Sequence, residues 1–355
     1  MRITPGPALQ RVITGAGLVT VAAAAGAEYA HRHALEHNEE YRLLRSLPAG
    51  TPWIVTSADG TRIHAESFGP EDTGAPTFVL APGWTEEFQV YSRVIRGLVE
   101  QGHRVVAYDL RGQGSSGLPA HGDHELARYG EDIEAVLDAT CAERDNVILV
   151  GHSMGAMSIA AWAVDHDVTA RVRAVALLST GFADLIASSR LLPAVLPEGI
   201  RREIGTNYIL SGSNSYPQVS TAISRAITRY AAFGPHASDA EVAFYEPMLW
   251  RCPPQVRAAA GRSIARMNLL GAVQNIPVPA LVLVGTHDRL TPPNHAERIA
   301  AGLPQVTDLV VIDEIGHMAT LECPERVVSE LEALARHALP SFSRVAPAGI
   351  EVLAG

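Results

Sequence analysis

Cysteine and positive charge are both scarce in this sequence of 355 residues. The three cysteines, Cys141, Cys252 and Cys323, include no Cys-x-x-Cys pair, and an odd number cannot form a fully paired disulfide framework. Their spacing does not suggest a zinc site, so we expect all three to be buried as small apolar side chains. The formal net charge of −10 argues against nucleic acid as a partner, because phosphate binding needs clustered lysine and arginine.

A long uncharged run occurs near the N-terminus. Residues 12–27 carry no charge, with Arg2 and Arg11 before them and Glu28 after them. This arrangement, with small residues at 25–27, resembles a secretory signal or an uncleaved anchor. The run is marginal for crossing a bilayer, which takes about 20 apolar residues in a helix. A helix docked on the domain or on a partner subunit is therefore the alternative. The first interpretation predicts a membrane-associated or secreted protein, and the second allows a cytoplasmic one.

Apolar strands alternate with helical stretches through most of the chain. Hydrophobic residues make up 47% of the sequence and charged ones 19%, which is enough to bury a substantial core. A hairpin is predicted around Asp59 and Gly60. Further strands are predicted at 77–80, 104–108, 147–150, 173–179, 280–284 and 308–312. Continuous apolar strands separated by helices are typical of a mostly parallel sheet covered on both faces.

Residues 182–275 interrupt this alternation, since they contain helical patterns and no clear strand. Helices are predicted there at 185–192, 218–232, 240–249 and 254–269. An insertion at the C-terminal ends of two sheet strands is well placed to cover a site. The predicted organisation is an apolar N-terminal segment (1–30), a charged helical linker (31–50), an α/β core (51–181 and 276–340), a helical cap or lid (182–275) and a poorly ordered tail (341–355).

The motif Gly-x-Ser-x-Gly at residues 151–155 follows an apolar strand directly and leads into a helical stretch. A serine at such a turn is held in a strained backbone and lifted clear of the sheet. Side chains at Gly151 and Gly155 would collide with the neighbouring strand and helix. We interpret Ser153 as a nucleophile, and a structural turn with an idle serine is the alternative.

A serine hydroxyl needs a base to take its proton, and the base needs a third group to hold its tautomer. Asp288 and His317 each follow a later predicted strand, and the order Ser, Asp, His is the one expected for this layout. Asp184, shortly after the preceding strand, is the alternative acid. His152 directly precedes Ser153 and His287 directly precedes Asp288, so neither histidine is at the position expected for the base.

Two backbone N–H groups should stabilise a tetrahedral oxyanion. The residue after the nucleophile, Met154, supplies one, and Trp84 in the loop after the first core strand is the best candidate for the other. A core tryptophan beside a turn is the alternative for Trp84. The glycine-rich loop at 109–117 lacks the lysine of a P-loop and the Rossmann spacing, so no cofactor is predicted there. No metal site is predicted either.

Three motifs together resemble the α/β-hydrolase fold superfamily, in its lipase, esterase and monoacylglycerol-lipase-like branch. They are Gly-His-Ser-Met-Gly, Asp-Leu-Arg-Gly-Gln-Gly-x-Ser and Gly-x-x-Asp-x-x-x-Pro, and the resemblance covers residues 52–180 and 276–338. It implies a mostly parallel sheet of the eight-stranded type, helices on both faces and a helical cap insertion. The chain departs from the pattern at Pro82-Gly83, where members often carry His-Gly. Ser153, rather than aspartate, argues against the epoxide-hydrolase and haloalkane-dehalogenase branches.

The resemblance implies a cofactor-free serine hydrolase that cleaves carboxylic esters through an acyl-enzyme. The cap and the apolar N-terminal segment favour a small-molecule ester with an apolar acyl group and an association with membranes. A thioesterase, an acyltransferase, a haloperoxidase-like enzyme and a hydrolase of carbon–carbon bonds would use the same three residues. A ligand-binding protein that keeps the fold without catalysis is the alternative from a different class.

Overall fold

The computed structural model describes residues 26–71, 74–142, 145–193, 195–210, 212 and 220–340. Most of the predicted N-terminal segment and all of the predicted C-terminal tail lie outside these residues. Residues 26–36 are helical (α1), and Asn38 caps a second short helix, α2 (Glu39–Leu44), by accepting a hydrogen bond from the Tyr41 N–H. The charged stretch predicted as a helical linker thus contains parts of two helices. No helix among the described residues is both long enough and apolar enough to cross a membrane.

Eight strands form one sheet in the order β1-β2-β4-β3-β5-β6-β7-β8. The pairs β1–β2 and β2–β4 are antiparallel, and all other neighbours are parallel. The predicted hairpin and all the predicted core strands are present, and the predicted fold class is confirmed. The strands are β1 (Gly50–Thr56), β2 (Arg62–Phe68), β3 (Thr77–Ala81), β4 (Arg104–Tyr108), β5 (Val147–His152), β6 (Val172–Leu178), β7 (Ala280–Gly285) and β8 (Val306–Ile312).

Helices cover both faces of the sheet because its central strands are apolar on both sides. Every residue of β3 and β5 is buried, and alternate side chains of β5 enter two separate apolar layers. One layer contains α4 (Leu126–Thr140), α5 (Met154–Asp165) and α12 (Pro293–Gly302), and the other contains α3 (Ser92–Glu100) and α14 (Pro324–Ala338). Short helices α6 (Val168–Arg171) and α13 (Ala319–Glu322) complete the core.

The connection from β6 to β7 is helical, and we call its helices the insertion. They are α7 (Leu185–Ser188), α8 (Glu198–Ile204), a π-helical turn (Gly205–Leu210), α9 (Ala222–Ala232), α10 (Asp239–Arg251) and α11 (Pro254–Arg266), followed by a 3-10 turn (Leu270–Asn275). Helix α7 ends earlier than predicted, and α8 was not predicted. Pro193 disfavours helical backbone at the residue before it, and the charged sequence of α8 has little apolar periodicity. Capping boxes at Thr221 and Ser238 fix the starts of α9 and α10.

Candidate active site

Ser153 forms the turn between β5 and α5. Its backbone has φ 49° and ψ −113°, a strained conformation for a residue with a side chain. The Ser153 N–H donates to the Leu178 carbonyl at 2.9 Å, and the Ser153 carbonyl accepts from the Thr180 hydroxyl at 2.9 Å. The neighbouring strand β6 and the loop after it thus hold the strained turn in place.

The two glycines of the motif allow the backbones to approach closely. A Cβ atom on Gly155 would lie 2.1 Å from the Ala81 carbonyl oxygen, and one on Gly151 would lie 2.4 Å from the Ala156 nitrogen. Both neighbours are backbone atoms, which cannot move aside as a flexible side chain can. The structure therefore confirms that side chains at Gly151 and Gly155 would collide with neighbouring backbone.

Asp288 and His317 are brought together by the loops that follow β7 and β8. The His317 Nδ1 lies 2.8 Å from Asp288 Oδ2, and both side chains are buried. Asp288 also accepts hydrogen bonds from Thr291 Oγ1 at 2.8 Å and from the N–H groups of Leu290 and Thr291 at 2.9 and 2.8 Å. Burial would raise the pKa of Asp288, but the adjacent His317 and these donors hold it below its ordinary value.

The backbone of the His317 loop is held from two further sides. The His317 N–H donates to the Ala232 carbonyl at 2.8 Å, which links the loop to the end of α9. The Gly316 N–H donates to the carboxylate of Glu322 at 3.1 Å. An ionised Asp288 accepts a hydrogen bond from the Nδ1–H of His317, which leaves Nε2 as the ring nitrogen that carries no hydrogen.

A cavity of about 580 Å³ lies between the sheet and the insertion, and Ser153 and His317 both line it. Most of its other walls are apolar side chains of the insertion and nearby loops: Trp84, Met157, Leu185, Ile186, Leu191, Leu192, Leu210, Ile227, Tyr245, Leu249, Trp250, Ile264 and Leu290. The hydrogen bonds of the described side chains join His317 to Asp288 but do not include the Ser153 hydroxyl. The cavity can accept an apolar ligand beside the Ser153 and His317 side chains.

The predicted oxyanion residues occupy different environments. Met154 is buried as the first residue of α5, directly after Ser153. The Trp84 side chain lines the cavity, and its indole N–H donates to the Arg257 carbonyl of α11 at 3.0 Å. Trp84 therefore joins the loop after β3 to the insertion, in addition to any role of its main-chain N–H.

A buried pair that the sequence did not predict underlies this loop. The carboxylate of Glu86 accepts from the Gly83 N–H at 2.5 Å and lies 3.0 Å from Nδ1 of His152. The other ring nitrogen of His152 lies 2.9 Å from the His317 carbonyl oxygen. Burial would lower the pKa of His152, but the Glu86 carboxylate raises it above its ordinary value. The ring of His152 therefore lies between two oxygen atoms and connects the loop at Gly83 to the loop at His317.

The alternative residues lie elsewhere. Asp184 is exposed and forms an ion pair with Arg298 at 3.2 Å, so its carboxylate is engaged away from His317. The ring of His287 contacts the hydroxyl of its neighbour Thr286. Of the two acids considered, the structure brings Asp288 to His317.

Hydrogen bonds of Asp109 and Arg111 hold the glycine-rich loop at 109–117 in place. Asp109 accepts from the N–H groups of Phe88 and Ser115 at 2.9 and 2.8 Å. The buried guanidinium of Arg111 makes two hydrogen bonds to Asp132, at 2.7 and 2.6 Å. These bonds tie the loop at 109–117 to helix α4.

Comparison with known proteins identifies the family. Residues 78–330 match the model of the alpha/beta hydrolase family, which is more than half of the chain. The chain therefore belongs to the α/β hydrolase family.

The relatives and solved structures include several activities. A non-heme haloperoxidase of Rhodococcus erythropolis is 27% identical over 74% of this chain and 92% of its own length. A bifunctional esterase/perhydrolase of Acinetobacter calcoaceticus is 25% identical over 67% of this chain and 83% of its own. The structure of an esterase from Exiguobacterium antarcticum superposes with a TM-score of 0.67, with 19% identity over 81% of this chain and all of its own, which shows a common fold.

Proposed function

We propose that this protein is a serine hydrolase that cleaves carboxylic esters, with Ser153 as nucleophile, His317 as base and Asp288 as the group that orients the base. The contact that carries the proposal is the 2.8 Å hydrogen bond between Asp288 and His317 at the cavity that Ser153 also lines. A buried, ionised carboxylate behind a histidine is the arrangement that allows the second ring nitrogen to accept a proton.

In the first half-reaction, His317 Nε2 takes the proton of the Ser153 hydroxyl as its oxygen attacks the ester carbonyl. His317 then returns that proton to the oxygen of the leaving alcohol, and an acyl-enzyme remains. In the second half-reaction, a water molecule attacks the acyl carbon and His317 takes the proton of the water. The carboxylic acid leaves when Ser153 recovers its proton. Asp288 stabilises the imidazolium that forms in each half.

The oxyanion of each tetrahedral intermediate would lie against the main-chain N–H groups of Met154 and Trp84. Met154 supports this role because it begins α5, where N–H groups of the first turn lack partners within the helix. The bond between the Glu86 carboxylate and the Gly83 N–H supports the role of Trp84, because it restrains the residue directly before Trp84. Donors fixed before the reaction need no rearrangement as charge develops.

The lining of the cavity favours an ester with an apolar acyl group. Tyr245, Leu249 and Trp250 of α10 contribute a wall of large side chains near the predicted nucleophile. Apolar contact between this wall and a substrate should stabilise the complex by about 25 cal/mol for each Å² of apolar surface buried. We expect kcat/KM to rise with acyl length until the cavity is filled.

The test uses Ser153→Ala, a p-nitrophenyl ester and a fluorophosphonate probe. We expect the variant to lose turnover by about a millionfold and to lose all covalent labelling, because no other group supplies the attacking oxygen. The matched control is Ser189→Ala, which removes another hydroxyl at the same cavity and should still be labelled. Labelling of Ser153→Ala at the wild-type rate, with the circular dichroism spectrum unchanged, would exclude the assignment.

Perhydrolysis is the second candidate activity, and the esterase/perhydrolase and haloperoxidase relatives favour it. In that reaction hydrogen peroxide replaces water in attacking the acyl-enzyme, and the product is a peracid. Supplying peroxide with the ester and measuring peracid separates the two. If the yield of peracid rises only in proportion to the ratio of peroxide to water, the enzyme does not prefer peroxide over water. Ester hydrolysis would then be the activity.

A further inference from the structure

Glu86 and His152 form a buried pair that takes no part in the proton transfers of the proposed reaction. The side chain of Glu86 is 2% exposed and that of His152 is fully buried, and Glu86 Oε2 lies 3.0 Å from His152 Nδ1. Two ionisable groups lose their hydration when they are buried, and their mutual attraction often fails to exceed that cost. Stability of the fold is therefore a weak reason for this pair, and its connections give a stronger one.

The pair joins the backbones of two loops at the cavity. Glu86 Oε2 also accepts from the N–H of Gly83, the residue directly before the proposed oxyanion donor, at 2.5 Å. The Nε2 atom of His152 lies 2.9 Å from the carbonyl oxygen of His317. His152 is also the last residue of β5 and directly precedes Ser153. One line of contacts therefore runs from the oxyanion loop, past the proposed nucleophile, to the backbone of the proposed base.

The loop from Gly83 to Glu86 contains a strained residue that such contacts can hold. Thr85 has φ 65°, a left-handed conformation that β-branched residues rarely adopt. A conformation of this kind persists only where the surrounding structure fixes it. The carboxylate of Glu86 folds back against the loop, since a Cβ atom on Gly83 would lie 2.8 Å from its carboxyl carbon. The main-chain N–H of Trp84 belongs to the segment that this carboxylate restrains.

The negative charge of Glu86 is part of the contact. A carboxylate and a carbonyl oxygen accept hydrogen bonds and do not donate, so an imidazole between them is satisfied on both sides only when both of its nitrogens carry hydrogen. Burial lowers the pKa of His152, but the Glu86 carboxylate, the His317 carbonyl and the charge of Asp288 raise it above its ordinary value. The ring of His317 also faces it, with the ring centres 4.9 Å apart. Removal of the Glu86 charge should therefore weaken both ends of the line.

We propose that Glu86 and His152 are positioning residues that hold the main-chain N–H of Trp84 and the ring of His317 in fixed positions relative to each other. This inference rests on the proposed function, because it concerns the oxyanion that forms when Ser153 attacks the ester. The oxyanion exists only after the attack, so a displaced N–H raises the barrier without weakening the binding of the substrate. The loss should appear in kcat and leave KM nearly unchanged.

The test compares two buried glutamate–histidine pairs in the full-length protein. Glu86→Gln keeps the shape of the side chain and removes its charge. Glu332→Gln is the matched control, because Glu332 pairs with the buried His103 and neither residue lines the cavity. Turnover of the p-nitrophenyl ester is divided by the number of active sites, counted by complete reaction with the fluorophosphonate probe, so that unfolded molecules do not lower kcat. We expect kcat to fall about a hundredfold in Glu86→Gln and less than about twofold in Glu332→Gln.

A trifluoromethyl ketone isolates the oxyanion from other causes. The serine oxygen bonds to the ketone carbon, the serine proton passes to His317, and the carbonyl oxygen becomes an oxyanion with no leaving group to depart. The inhibition constant should rise in Glu86→Gln by about the factor by which kcat/KM falls, and it should not change in Glu332→Gln.

His152→Gln is a second variant, which tests the other member of the pair and serves if Glu86→Gln does not fold. It should show the same two losses as Glu86→Gln. The double variant should fall no further than the slower single variant, because side chains that act as one unit are not additive.

Four results would overturn the positioning role. They are a kcat in Glu86→Gln within about threefold of wild type, a rise in KM that accounts for the loss, an unchanged inhibition constant beside a reduced kcat, and an equal loss in Glu332→Gln. Each leaves the proposed function standing if the probe labels Ser153 of the wild type. A wild type that the probe does not label would overturn the proposed function and this inference together.

Discussion

The wall of the cavity built by the sheet and the wall built by the insertion differ in what holds them. On the sheet side, Asp288 is fully buried and accepts four hydrogen bonds of 2.8 to 2.9 Å, three of them from main-chain N–H groups or a hydroxyl of its own loop. On the insertion side, Ile223 and Ile227 are mostly exposed. Charge must be fixed before a reaction, whereas an apolar surface can bind by area alone. Hydrogen bonds therefore fix the position of the charged group on the sheet side, whereas Ile223 and Ile227 on the insertion side present apolar surface.

The two walls meet at the C-terminal end of α9. The Ala232 carbonyl accepts from the His317 N–H at 2.8 Å, and Arg289, next to Asp288, donates to the Tyr230 and Phe233 carbonyls at 3.0 and 3.2 Å. Carbonyls at a helix C-terminus lack partners within the helix, so neighbouring N–H groups satisfy them. These hydrogen bonds fasten the loops that carry Asp288 and His317 to the end of α9.

Among the substitutions that test the difference between the two walls, the largest effect should come from removing the fixed charge of the sheet wall. Asp288→Asn keeps the shape of the side chain but leaves His317 in the wrong tautomer or without a charged partner. We expect kcat to fall by about ten-thousandfold with little change in KM. Steady-state kinetics with a soluble ester measures both quantities.

Asp184→Asn is the control for this prediction, because Asp184 was the alternative acid. Its exposed pair with Arg298 should contribute no more than about 1 kcal/mol to stability. Kinetics close to those of wild type are expected. If Asp184→Asn were the slower of the two variants, Asp288 would not be the orienting residue.

A pair of glycine substitutions compares the sheet side with the insertion by their effects on the free energy of unfolding. The Cβ atom of Gly155→Ala would lie 2.1 Å from the Ala81 carbonyl oxygen, so strand β3 and helix α5 must separate. We expect a loss of about 3 kcal/mol or more in the free energy of unfolding. Gly199→Ala, in α8, meets nothing within 4 Å and should gain about 0.5 kcal/mol, since alanine favours a helix. Urea denaturation measures both, and equal losses would contradict the contrast.

The sheet and the residues that the sheet carries could be predicted from the sequence because each rests on a local signal. Apolar runs of fixed length mark the strands, and Ser153, Asp288 and His317 each follow one of them. Parallel strands bring their C-terminal ends to one edge, so residues far apart in sequence become neighbours. The contact between Asp288 and His317 is the observed result of that rule.

The remaining features depend on contacts that no local pattern records. Glu86 and His152 are 66 residues apart and meet only because β3 and β5 are adjacent in the sheet. Ile223, Ile227 and Tyr230 are ordinary apolar residues in the sequence, and only the packing of α9 shows that they are exposed. Helix α8 was missed because its sequence carries charges where the pattern needs apolar positions.

A smaller effect than that of Gly155→Ala is predicted for Glu322, whose carboxylate joins the two walls through hydrogen bonds to backbone N–H groups. Its carboxylate accepts from the Gly234 N–H, just after α9, at 2.7 Å and from the Gly316 N–H, next to His317, at 3.1 Å. Burial raises the pKa of Glu322 to about 7 from its ordinary value of 4.5, and these N–H groups only partly oppose the shift. Between pH 4.5 and about 7 the folded protein therefore holds a proton that the unfolded chain has released.

The contribution of Glu322 to the free energy of unfolding is consequently greatest below pH 4.5, and it is lost as the pH rises to about 7. The loss should amount to about 1 to 2 kcal/mol, less than the full shift implies because the side chain is partly accessible to water. Glu322→Gln removes the titration, so the difference between wild type and variant in urea denaturation should fall between pH 5 and pH 8. Taking this difference removes the contribution of His152, whose raised pKa acts in the same direction. Glu325→Gln, an exposed neighbour, should run parallel to wild type. The opposite outcome is a pH dependence of the unfolding free energy that is the same for Glu322→Gln and wild type. In that case the contact between the walls would depend on the geometry of its hydrogen bonds and not on the protonation of the Glu322 carboxyl group.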